Sequence, residues 1–246
     1  MSMLSGSGNP TMRDKVWADN ATTDSNVMTV GGTINKCAIL FAVVVMFAAI
    51  GWNVIGTRPE LFFGLWLAIG VGFILALVIS FAPKTAPVLA PIYAACMGTF
   101  LGAISFVYEF GYNGIVQNAV LVTLAVFAMM LALYKVKALQ ATPAFTRGVM
   151  AATGAVCLVY IVSIVVNLAG GRMPLLHDSG FWGIGISLVI VGIAALNLII
   201  DFHRIEQGSA IGAAKHMEWY GAFALIVTLI WLYLEILRLL AKLQRR

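Results

Sequence analysis

Seven long, uninterrupted apolar runs dominate this chain and leave few folds open to it. They lie at roughly 36–56, 61–82, 88–109, 114–134, 148–169, 181–201 and 217–240, each of about 21–24 residues. About 20 residues of α-helix cross a hydrocarbon core, so each run is long enough to span a bilayer. A bilayer offers no water to free backbone amides, which makes such spans helical. The runs are continuous rather than alternating and far longer than barrel strands, which excludes a β-barrel.

The segments between the runs carry the punctuation expected of turns. They are Thr57-Arg58-Pro59-Glu60, Pro83-Lys84-Thr85, Gly111-Tyr112-Asn113-Gly114, Lys135 to Arg147 with Pro143, Gly170 to Gly180 with Pro174, and Phe202 to His216. The first three hold only a tight turn, so the helices they join are antiparallel hairpins, and no soluble domain is expected. Composition agrees: 61% of the 246 residues are hydrophobic and 10% charged, with mean hydropathy +0.98. A soluble domain carries about 25% charged residues, too many more for this chain to wet its own surface.

Residues 1–34 are polar and rich in Ser, Thr, Asn, Asp and Gly, and no apolar core follows a basic start, so this is not a cleavable signal peptide. It reads as a disordered cytosolic tail ahead of a transmembrane domain over 35–246. The formal charge of +5 comes from scattered single residues, not a basic stripe, and gives no nucleic-acid footprint. These residues act as topology signals. With the amino terminus inside, the inner segments hold nine: Arg13, Lys15, Lys36, Lys84, Lys135, Lys137, Arg147, Arg204 and Lys215. The outer loops hold Arg58 and Arg172. The basic carboxyl tail (Arg238, Lys242, Arg245, Arg246) then sits outside against the rule, unless the last helix is re-entrant.

Cys37, Cys96 and Cys157 each fall inside an apolar run without CxxC or Cys/His spacing, so they read as buried, inert thiols rather than a disulfide or zinc framework. No GxSxG or HExxH is present, and His177, His203 and His216 are all placed in loops, which argues against a membrane-embedded hydrolase. No cofactor site is expected. No pair of interrupted spans announces the inverted repeats of a secondary transporter. Small residues at Gly98 and Gly102, and at Gly183 and Gly185, have the spacing that lets helices approach closely.

An ionisable group at membrane depth is costly and needs an account. Glu109 reads as a solvated helix end. Glu235 and Arg238, three residues apart, share one face and satisfy each other. Asp201 ends the sixth run, with Asn197 one turn earlier on the same face and Arg204 three residues later. An acid at a helix carboxyl end opposes the macrodipole. Glu218 opens the seventh run, and either serves as a favourable first-turn acid or approaches Asp201 from the same membrane face. Two carboxylates in a poorly hydrated setting titrate as a unit, a natural proton-sensitive latch. They also offer hard oxygens to a divalent cation, but too few for a tight site, which suits passage better than storage.

The stretches Asn197-Leu-Ile-Ile-Asp201-Phe-His-Arg-Ile-Glu-Gln-Gly208, Met217-Glu-Trp-Tyr-Gly-Ala-Phe-Ala-Leu225 and Trp231-Leu-Tyr-Leu-Glu-Ile-Leu-Arg-Leu-Leu240 resemble the Bax inhibitor-1-like family. So do Ala90-Pro-Ile-Tyr93, Phe100-Leu-Gly-Ala-Ile-Ser105 and Asn9-Pro10, the closest likeness being to a bacterial branch with a polar amino-terminal extension. The resemblance implies an all-α integral membrane fold of seven transmembrane helices, six wrapped around a central carboxyl-terminal one. It also implies a pH-sensitive calcium leak, controlled by an aspartate pair on the last two helices near the cytosolic side. Asp201 falls on the first aspartate; the second falls between Gly221 and Thr228, where nothing ionises, and Glu218 stands one turn earlier as the substitute. Where members of this branch often carry Glu, this chain has Met97. Lys84 or Arg204 is the expected latch cation, with Asn197 in support. The implied partners are the lipid bilayer and calcium ions or protons, in a bacterial inner membrane with the amino terminus cytoplasmic. One bacterial relative interacts with a membrane protease, so the competing expectation is a non-transporting regulator of a protease or another integral protein.

Overall fold

A computed structural model describes residues 26–170 and 180–245. Among them run seven helices: α1 (Val30–Thr57), α2 (Leu65–Phe81), α3 (Ala86–Gly111), α4 (Ile115–Lys135), α5 (Pro143–Leu168), α6 (Phe181–Ala210) and α7 (Met217–Gln244). Short 3-10 turns, Pro59–Gly64 and Pro83–Thr85, precede α2 and α3. All seven spans are long and apolar enough to cross a membrane.

Several helices outrun the apolar runs. Helix α1 starts at Val30, inside the segment read as tail, because Thr29 caps it by accepting a hydrogen bond from the Gly32 amide. Residues 1–25 of that tail lie outside the described residues. Helix α5 starts at Pro143, with Thr142 accepting from the Phe145 amide and proline at the first position, where its missing N–H costs nothing. Helix α6 continues nine residues beyond Asp201 to Ala210. Hydropathy measures the thickness of hydrocarbon, whereas a helix of 30 residues reaches about 45 Å, well past it.

Helix α7 is the centre: 61% of its most apolar stretch is buried, against 13% for the span containing α2. It packs against α1, α3, α4 and α6, and α5 reaches it through Tyr160. Helix α2 packs chiefly on α3 and forms an outer layer. The ring therefore wraps α7 as expected, with α2 set back. Apolar side chains such as Trp66, Leu67, Phe73 and Leu188 point outward. In water such a surface would aggregate; in lipid it costs nothing.

The tightest seam joins α1 to α3. A Cβ at Gly102 would lie 1.8 Å from the Ala48 carbonyl oxygen, and one at Gly98 2.6 Å from that of Val44. Only glycine lets the backbones come this near. Gly185, expected to act likewise, faces open space. Cys157 is exposed on α5, against the expectation of burial, and Cys37 and Cys96 are partly buried.

Candidate functional site

The ionisable residues of the last two helices gather at two levels. At the end that carries the amino terminus, Glu218 is fully buried at the mouth of the α6–α7 hairpin. Its Oε1 accepts from the Thr29 amide at 3.0 Å and the Thr29 hydroxyl at 2.9 Å. Lys215 Nζ stands 2.8 Å from the same oxygen, and Lys36 Nζ lies 3.8 Å from Oε2. Lys36 also sits over the Trp219 ring, 5.6 Å from its centroid. The backbone adds to this clamp: the Met28 amide donates to the Ala213 carbonyl at 2.7 Å, and Val27 pairs antiparallel with Ala214. A Cβ on Gly32 would fall 1.9 Å from Glu218 Oε1, so the first turn of α1 lies directly over the carboxylate.

Asp201 lies deeper. It is 1% exposed, between the fully buried Leu198 and the nearly buried Phe202. Counting nine residues back from Ala210, it sits about 13 Å inside the end of α6. On the antiparallel α7 that level falls near Leu225 and Ile226, well past Glu218, the second residue of its helix. Helix α1 passes it at Cys37, which feels the Asp201 charge. Because α6 continues to Ala210, Asp201 is not a helix-terminal acid and the macrodipole argument does not apply to it. Glu218, by contrast, sits at the capped start of α1.

The supporting residues have partners of their own. Asn197 donates to the Thr153 hydroxyl and to the Ile193 carbonyl, both at 2.8 Å, and ties α6 to α5. Arg204 is 4% exposed and donates through Nη1 to Gln207 Oε1 at 2.9 Å. Lys84 lies near His216, which precedes α7; burial first, and the Lys84 charge second, hold that imidazole below its ordinary pKa. His203 stands within α6 rather than in a loop, and His177 lies outside the described residues. Among the described residues, no three His, Cys, Asp or Glu side chains gather as a metal site.

At the opposite end of α7, Glu235 and Arg238 pair at 3.2 Å, as their spacing predicts. Tyr160 completes the group by donating to Glu235 at 2.5 Å and accepting from Arg238 at 2.5 Å. Trp231 Nε1 also donates to Glu235, at 3.2 Å. Lys242, read as tail, is 5% exposed and donates to the Gly183 carbonyl at 3.0 Å and Ser187 at 2.8 Å. Arg245 donates to the Tyr112 hydroxyl at 2.6 Å. Among the described residues, the tail cations Arg238, Lys242 and Arg245 are thus each engaged with a partner in the protein. The unbroken α7 removes the re-entrant alternative. Glu109 is likewise not a free helix end: it turns back to accept from the Gly114 and Val116 amides at 2.6 and 3.0 Å, capping α4.

Sequence reasoning missed Thr29, Lys36, Tyr160 and Lys242. Only Thr29 carried a local signal, as a helix-capping hydroxyl; the others are joined to their partners by tertiary packing alone.

The fold and the buried carboxylates define an integral membrane protein of seven helices built around its last one. Residues 9–245, nearly the whole chain, match the family model described as Bax inhibitor 1 like, and the chain belongs to that family. No curated protein and no solved structure matches it.

Proposed function

We propose that the protein is a pH-sensitive calcium leak, gated by protonation of Asp201, in a bacterial inner membrane with its amino terminus cytoplasmic. The observation that carries this reading is a carboxylate 1% exposed within a membrane-spanning helix, in a chain of this family. Such a group changes charge only at the expense of its surroundings, so its proton and the packing around it are coupled. Ionised, Asp201 holds the α1–α6 seam; protonated, it releases the seam and shifts the population towards the open form. Of the two expected cations, Arg204, one turn from Asp201 on the same helix, stabilises the ionised form, while Lys84 lies with His216 before α7. Glu218, engaged with Thr29 and Lys215, acts as the fixed frame of this gate. Calcium passes transiently, no cofactor takes part, and no catalytic chemistry is assigned.

The test is calcium flux into liposomes holding the purified protein at acidic and alkaline pH. The wild type conducts more at one than at the other, and Asp201→Asn flattens that difference. An Asn variant with the wild-type pH response removes Asp201 from gating. No flux at any pH, together with recovery of a stoichiometric integral partner after mild extraction, replaces the leak with a non-transporting regulator of a membrane protease or similar protein.

A further inference from the structure

A crevice of about 750 Å³ opens beside the α6 segment that carries Asp201, within the roughly 300–1,000 Å³ range of small-molecule sites. Helices α1 and α4 form its walls, standing apart from one another, and α6 and α7 its floor. Its inner surface is apolar: Ile34 and Cys37 from α1, Phe127 and Leu131 from α4, Phe202 from α6 and Leu225 from α7. Its rim is polar, with Lys135 and Lys137 where α4 ends. Phe127 lies eight residues before Lys135, so the apolar part reaches about 12 Å inward from the basic rim.

That gradient, charge at the membrane face and hydrocarbon below, is the profile of one phospholipid. The crevice is open at its side, where its wall residue Ile34 is 61% exposed towards the surroundings of the protein. Glu206 also stands on the rim, but it already accepts the Tyr134 hydroxyl, so two lysines face the headgroup against one hydrogen-bonded carboxylate. Lys137 directly follows the C-cap of α4 with φ 57°, and its amide and that of Ala138 close the helix end on the Tyr134 and Leu133 carbonyls at 3.0 Å each, which fixes the backbone of Lys137 at the rim.

We propose that this crevice binds an anionic phospholipid, its phosphate held by Lys135 and Lys137 and one acyl chain lying along Ile34, Phe127 and Phe202. Basic pockets between spanning helices recognise anionic headgroups in this way. The site is independent of whether the protein conducts ions.

The experiment is native mass spectrometry of the full chain, extracted in mild detergent and offered equal phosphatidylglycerol and phosphatidylcholine. The wild type retains one phosphatidylglycerol in preference. The double variant Lys135→Gln with Lys137→Gln, shown folded by unchanged circular dichroism and elution volume, loses that preference by on the order of tenfold. Ile34→Trp, which fills the crevice and leaves the rim intact, lowers retention of both lipids. Equal preference in wild type and the lysine variant overturns the proposal, as does a lipid-free dimer in which a second copy covers the crevice. Inorganic phosphate that displaces the lipid's preference without releasing the lipid assigns the lysines to a free anion, and also overturns it.

Discussion

The Glu218 carboxylate accepts both the backbone amide and the hydroxyl of Thr29, a residue 189 positions earlier in the chain. One buried acid therefore fastens the start of the first helix to the start of the last. Removing it leaves a capped amide and two lysines without their anion. Glu218→Ala is expected to lower the unfolding free energy by about 1.5–3 kcal/mol, because the Thr29 amide and hydroxyl lose a charged acceptor. Gly32→Ala displaces the same carboxylate and costs less, about 1–2 kcal/mol. Thermal unfolding in mild detergent, followed by tryptophan fluorescence, checks both; an unchanged midpoint for Glu218→Ala would show that the clamp contributes nothing.

His216, beside Lys84 in the loop before α7, gives a pH dependence with a definite sign. Its folded pKa lies below the ordinary value of about 6.5. Between the two values the unfolded chain binds a proton that the folded chain refuses, so stability falls as pH drops through about 6.5 and is restored above it. Unfolding midpoints of wild type and His216→Gln, measured across that range, should converge at alkaline pH, where the imidazole is neutral in both states, and diverge at acidic pH, with the wild type the less stable. Lys84→Gln should weaken the dependence.

The α1–α3 seam predicts a contrast between two glycines. Gly102→Ala drives a methyl group into the Ala48 carbonyl and should cost about 2 kcal/mol or more, since the backbones must separate. Gly154→Ala on α5 meets nothing within 4 Å and should be neutral or stabilising by about 0.5–1 kcal/mol. Equal effects at the two sites would mean that the seam yields easily.

Glu235, Arg238 and Tyr160 should behave as one unit. Arg238→Ala leaves a buried carboxylate held only by Tyr160 and Trp231, at a cost of about 2 kcal/mol. Replacing Glu235 by Gln in that background should cost much less than it does alone, giving a coupling energy of about 1 kcal/mol. Additive losses in the double-mutant cycle would show that the three side chains act separately.

Seven spans put the chain ends on opposite faces of the membrane. Compartment-sensitive reporters fused to each terminus should give opposite signals, with the amino-terminal fusion on the cytoplasmic side. Reporters on the same side would require one helix not to cross.

The number of helices and the place of each turn could be read from hydropathy because lipid imposes one length on every span. The helix ends could not, since a mixed segment such as 202–210, with His203, Arg204, Glu206 and Gln207, continues a helix without a continuous apolar signal. The same limit bears on Asp201: the end of an apolar run reads as a helix end, whereas the helix runs nine residues further. The Glu235–Arg238 pair was legible because its spacing is local. Lys242 was not, as nothing near it in sequence announces the Gly183 carbonyl that receives it. The amino-terminal clamp depends on residues at opposite ends of the chain, and single-sequence periodicity carries no such information.

The bond between Thr29 and Glu218 also orders events during synthesis. At roughly 5–20 residues per second, the acid leaves the ribosome on the order of ten to forty seconds after its partner. Throughout that wait the first helix sits in the bilayer with its entrance unfastened. Completion of the final hairpin is then what locks the first one, so a truncated translation product would be left open at the end where the finished molecule is closed.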